Sequence, residues 1–163
     1  MTEAGAILVA GGVAALIAFW GVLSHRAVER RRTTLEFIAR SEADRDLIAA
    51  RRQFIELAKA SGGLVQWAEE DKEQTEQAQS IRLVLNEFEL VSIGIQRSII
   101  DYKLYERWFK SGTIKYWNYA APFVAALQGR LNNEAIFHEF KEMAGWFKDN
   151  KMPRRRIFWS KLF

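Results

Sequence analysis

The chain has 163 residues, with 24 Lys and Arg against 20 Asp and Glu, two Pro, no Cys and 49% hydrophobic residues. That is one domain's worth of material, and the lack of Cys excludes a disulfide framework, a thiolate nucleophile and any Cys-based metal centre. A mixed, Trp-rich composition argues against disorder.

Positions 4–23, AGAILVAGGVAALIAFWGVL, carry no charge. At about 1.5 Å per residue they extend roughly 30 Å, the thickness of a hydrocarbon core, and predict one transmembrane helix. A secretory signal peptide would open on basic residues and close on a small-residue cleavage site. This segment opens MTEAG and exits SHRAVERRR, so the span is read as retained. Glu3 precedes it, whereas Arg26, Arg30, Arg31 and Arg32 follow against Glu29 alone. The positive-inside rule then places residues 1–3 outside and residues 24–163 in the cytoplasm. Ala10, Ala14 and Ala18 repeat at i, i+4, i+8, a narrow seam along which a second copy of the span is expected to pack.

Beyond Ser24 no sustained apolar and polar alternation and no Asn-Gly or Asp-Gly turn occurs, so the predicted class is all-α. The expected architecture is the span, a juxtamembrane extension over 24–41, a cytoplasmic helical domain of about five helices over 42–147, and a basic aromatic tail over 148–163. Ser41 reads as an N-cap with Asp44 in the capping-box position, opening a helix from about 42 to 60 that Ser61, Gly62 and Gly63 close. The acidic segment 69–79 is a solvated turn or loop. Ile81, Val84, Leu85, Phe88, Val91, Ile95 and Ile99 share one helix face and predict the core side of a central helix. Leu83, Leu90 and Gly94 lie on the far side, where Gly94 leaves room for a neighbouring backbone. Asp101 reads as the next N-cap, with Ile100 and Tyr105 in hydrophobic-staple register. Gly112 is expected to close that helix, Thr113 to cap another, and Pro122 to kink it. A last helix follows Asn132 and Asn133 to about Lys148, with Ile136, Phe137, Phe140, Met143 and Phe147 inward.

The run LNEFELVSIGIQRSIIDYKLYERWFKS, followed by the segment with Trp117 and Pro122, resembles a family of bacterial and phage proteins known only as domain of unknown function 4760. The resemblance covers residues 5–147 and is sharpest at Asn86, Phe88, Glu89, Gly94, Ile95, Asp101 and Trp108. It implies one N-terminal span with a short helical cytoplasmic domain, a bacterial inner-membrane location, and a phage or prophage origin. It implies no activity, so Asn86, Glu89, Gly94, Asp101 and Trp108 are read as residues that set helix register.

Chemistry leaves few marks. The ten Gly supply neither G-x-x-x-x-G-K-S nor G-x-G-x-x-G. His138 has Glu134 and Glu142 one turn to either side, a spacing able to hold a metal, but i,i+4 ion pairing on a polar face is the simpler account. No catalytic, cofactor-binding or metal-ligating residue is assigned. Glu87 and Glu89 point to opposite sides of one helix, and Glu89 is read as a hydrogen-bond or ion-pair partner of a neighbouring helix.

Residues 33–147 carry a net charge of −3 and residues 148–163 one of +5. In the tail Arg154, Arg155, Arg156 and Lys161 interleave with Trp159 and other apolar residues, a pattern suited to an anionic membrane surface. The same cations and a stacking Trp suit nucleic acid, and packing of the tail on the helical body is a third reading. The expected function is a non-enzymatic single-pass membrane protein that binds another protein or itself. A membrane-tethered nucleic-acid binder is the alternative.

Overall fold

The structure, a computed structural model, describes the backbone of residues 3–151 and the side chains of residues 11–151. These residues form five α-helices: α1 Glu3–Ala43, α2 Arg45–Lys59, α3 Glu76–Gln96, α4 Tyr102–Leu131 and α5 His138–Asp149. Two short 3₁₀ turns, Val65–Ala68 and Glu70–Lys72, connect α2 to α3. The fold is all-α, and there is no strand among the described residues.

Span and juxtamembrane extension are one helix. α1 runs 41 residues without a break, and from Gly11 its apolar part is exposed, except where its later turns meet the bundle. It is long and apolar enough to cross a membrane. The expected N-cap at Ser41 is replaced by one at Asp44, whose carboxylate accepts the Asp46 and Leu47 amides at 3.0 Å each. Ser41 lies inside α1 with its side chain turned to the bundle. Gly62 and Gly63, at φ +85° and +57°, supply the left-handed turns after α2.

α3 is the core's axis. Ile81, Val84, Leu85, Phe88, Val91 and Ile95 are buried, joined by Phe54 from α2, Phe123, Val124 and Leu127 from α4, and Phe140, Met143 and Phe147 from α5. Each such side chain, fully buried, contributes about 1.5–3 kcal/mol. Phe88 sits at the centre, stacked on Phe140 with centroids 4.5 Å apart and tilted against Tyr116 at 5.2 Å.

Ile99 departs from the expected stripe and is exposed. α3 ends at Gln96, Ser98 turns left-handed at φ +58°, and the amides of Ile99 and Ile100 both bond back to the Gly94 carbonyl. This puts Ile100 inward in its place. A Cβ on Gly94 would lie 2.8 Å from Ile100 Cδ1, so Gly94 admits its own chain's returning side chain instead of a neighbouring backbone.

The two helices expected over 101–131 are one, because neither break signal acts as a break. Gly112 makes room for Phe109, whose ring would be 3.0 Å from an added Cβ. Thr113 is buried and its hydroxyl donates to the Phe109 carbonyl at 3.0 Å, one turn back inside the helix. Pro122 lies within α4 on an exposed face, where the Asn118 carbonyl that loses its donor can face water. α4 ends at left-handed Asn132, and residues 132–137 form a turn pinned by Gln128 Nε2 on the Glu134 and Ile136 carbonyls. The last helix therefore starts at His138.

Candidate membrane-proximal interface

Two polar clasps hold α1 against the bundle. In the first, Thr34, fully buried, donates to the Arg30 carbonyl at 2.7 Å and accepts the Asp101 amide at 2.8 Å. Arg30 Nε reaches Asp101 Oδ2 at 3.3 Å, while Asp101 Oδ1 caps α4 by accepting the Leu104 amide at 3.1 Å. One aspartate thus starts α4 and fastens α1.

The second clasp lies three turns along. Arg51 of α2 donates to Glu87 of α3 at 2.6 and 3.2 Å, to Ser41 at 2.7 Å and to Glu42 at 2.9 Å, and Ser41 in turn donates to Glu87. The guanidinium also lies 5.5 Å from the centre of the Phe109 ring. Burial works against the Arg51 charge, but Glu87 and Glu42 together raise its pKa. Burial first, and then the Glu87 charge, push the neighbouring Tyr105 phenol far upward. The space left within this cluster is about 10 Å³, room for one water at most.

These clasps give the bundle a direction. Ser41 meets Glu87 and Arg30 meets Asp101, so α3 runs antiparallel to α1 and the α3–α4 turn is the end of the bundle nearest the apolar half of α1. α5 returns to the same end. Phe140 packs edge-on against Trp117, Phe147 lies beside Tyr102 and Tyr105, and the Lys151 carbonyl accepts the Tyr102 hydroxyl at 3.0 Å.

α5 has no cap of its own, since left-handed Phe137 precedes it and offers no side-chain hydrogen bond. Glu89 supplies one from α3, accepting the Phe140 amide at 2.7 Å and the Glu139 amide at 3.3 Å. One and two turns further along α3, Ser92 donates to the Glu139 carbonyl at 2.6 Å and Gln96 donates to the Glu139 carboxylate. Burial raises the Glu89 pKa, with the two amides pulling it back.

The remaining candidates scatter. Ala14 and Ala18 are exposed on α1, and the Ala10 side chain lies outside the described residues. Of the juxtamembrane cations, Arg30 is engaged by Asp101, Arg32 pairs with Glu36 one turn on at 2.8 Å, and Arg26 and Arg31 are exposed. Asn86 lines an open groove between α2 and α3, and Trp108 is exposed on α4. Glu134 falls in the turn before α5, off the helix that carries His138, and no group of three metal-ligating side chains occurs among the described residues. The tail residues Arg154, Arg155, Arg156, Trp159 and Lys161 lie outside the described residues.

The Arg51–Glu87 cluster was not singled out from sequence. Its signal is a charge inside an apolar stripe on each partner: Arg51 falls between Leu47 and Phe54, and Glu87 between Val84 and Val91.

Residues 7–146 match the family described as "Domain of unknown function (DUF4760)". No curated protein and no solved structure matches the chain.

Proposed function

For a chain that belongs to the DUF4760 family, we propose a non-catalytic membrane adaptor: α1 crosses a bacterial inner membrane once and holds the helical bundle against its cytoplasmic face, where it binds another protein or a second copy of itself. The carrying observation is that α1 is a single helix, exposed from Gly11 to Leu23 in its apolar half and fastened to the bundle through Arg30, Thr34 and Ser41 along the other. A bilayer would cover a helix exposed over that length, which supports reading it as a span. The Arg cluster supports the cytoplasmic assignment of the bundle. The largely enclosed charges support a structural role, because Arg51, Glu87 and Ser41 satisfy one another in a space too small for a substrate. Leu83, Leu90 and Ile93, exposed on α3, offer apolar contact area to a partner. The basic tail over 148–163 starts in the last turn of α5, and the Lys151 carbonyl accepts the Tyr102 hydroxyl at the end of the bundle nearest the apolar half of α1; this supports contact of the tail's cations with the same membrane surface.

A reporter active only in the cytoplasm, fused at Phe163, is expected to give signal. Activity from a periplasm-dependent reporter there would overturn the orientation. An isolated-span dimerisation assay should report association that Ala14→Ile abolishes, and an absent or unchanged signal would reject self-association through that seam.

A further inference from the structure

We propose that the cleft between α1 and the start of α4 binds the phosphate of an anionic phospholipid headgroup. The proposal rests on the reading of α1 as a span.

The cleft has a volume of about 500 Å³ and is lined by Arg30, Arg31, Lys103 and Arg107 with one carboxylate, Asp101. That carboxylate is already spent, one oxygen on Arg30 and the other on the α4 cap. Arg31, Lys103 and Arg107 are exposed and make no ion pair among the described residues. A small cavity thus holds three uncompensated cations that three different turns of two helices bring together. The first turn of the 30-residue α4 opens on the same cleft and adds the positive end of its dipole.

Position selects the ligand. Arg30 follows Leu23 by seven residues, or about 10 Å along the helix, and the headgroup layer is about 5–7 Å deep on each side of the hydrocarbon. Side chains on a helix lean toward its N-terminus, here toward the bilayer, which brings the guanidinium groups of Arg30 and Arg31 to phosphate depth. The antiparallel fit of α3 on α1 carries the α3–α4 turn to that same end, with Ile99 exposed at its tip as an apolar contact for the interface. A phosphate held in the bilayer is presented to this cleft at high effective concentration, an advantage that a free anion lacks.

Full-length protein purified in detergent and offered mixtures of phosphatidylglycerol and phosphatidylcholine is expected to retain phosphatidylglycerol in native mass spectrometry. Replacing Arg31, Lys103 and Arg107 together by Gln should lower that retention at least about tenfold, since each cation near an anionic surface contributes several-fold. Arg107→Lys should keep most of it. Removing three exposed cations elsewhere, by Arg45→Gln, Arg52→Gln and Lys115→Gln, should leave retention unchanged. Equal losses in the two triple variants, or no preference in the wild type, would overturn the cleft. Displacement of the lipid by inorganic phosphate would make it a site for a soluble anion and overturn the lipid assignment. Flotation with vesicles of phosphatidylcholine alone separates the two readings. Wild type and cleft variant should both float and resist alkaline extraction, and failure to do so would overturn the span and the lipid site with it.

Discussion

Glu89 caps a helix fifty residues away in the chain: its carboxylate takes the Phe140 amide at 2.7 Å, at the start of a helix that has no side-chain cap of its own. Removing it leaves two amide donors without their partner. Glu89→Ala is expected to destabilise the protein by about 1–3 kcal/mol, read as a lower thermal midpoint by far-UV circular dichroism in detergent. Hydrogen exchange should accelerate first at Glu139 and Phe140. Uniform acceleration across all five helices would argue that the cap has no local role.

The same carboxylate gives a pH signature. Burial raises its pKa in the fold, and a group with a raised folded value stabilises the fold most while protonated, losing that contribution as pH rises through the folded value. Glu89→Gln imitates the protonated form at every pH. The difference in thermal midpoint between the two proteins should therefore shift in favour of the variant as pH climbs from below the ordinary glutamate value toward neutrality. Depressed groups such as Glu73, held down by Arg130 and Arg82, act in the opposite direction and cancel in the comparison. A difference that moves toward the wild type would show that the amides outweigh burial.

Breaking the largely buried Arg51–Glu87 pair from one side should be worse than removing it whole. Arg51→Met leaves Glu87 charged against Ser41 and Tyr105 and should cost about 3–5 kcal/mol. The double variant Arg51→Met, Glu87→Met should recover much of that loss, as chemical denaturation of all four proteins in a double-mutant cycle would show. Additive losses would mean that the two side chains contribute independently.

Ser98 holds φ at +58° in the turn that ends α3, a conformation that a residue with a Cβ adopts only at some cost. Ser98→Gly relieves about 1–2 kcal/mol of left-handed strain against about 0.4–1 kcal/mol of added freedom in the unfolded chain, so a net gain of up to about 1 kcal/mol is expected, measured as a higher midpoint in urea. No gain would place the strain of this turn elsewhere.

What was legible in the sequence follows from which force decides each feature. The stripe from Ile81 to Ile95 and the uncharged run at 4–23 are both set by hydrophobicity, so the helical class, the core face and a helix long and apolar enough to cross a membrane could be read from spacing. Stop signals were less reliable. Gly112 and Thr113 look like a helix end and a new cap, yet tertiary packing recruits the glycine for the Phe109 ring and lets the threonine bond one turn back. Ser41 has the residue type of a cap, but its hydroxyl is taken by Arg51 and Glu87, which leaves Asp44 to begin α2. The links that run from α1 and α2 to Glu87 and Asp101 in the two clasps join residues 36 to 71 positions apart, and pairing at that separation depends on how helices cross, which no single helix's periodicity contains.

Between Gly21 and Ala43 α1 contains neither Gly nor Pro, and its clasps grip it at Arg30, Thr34 and Ser41, on one side over three turns. The helix from its apolar half to the bundle therefore has no joint in which motion could be lost, which matters if α1 spans a membrane as proposed. A rotation of the proposed span about its own axis would swing the bundle through the same angle, and an axial shift by one residue would move it by about 1.5 Å. On that reading, whatever docks on α3 or α4 would meet a surface whose height and heading are set by the packing of the apolar half of α1, and a change in that packing would reach the bundle as a change of aim.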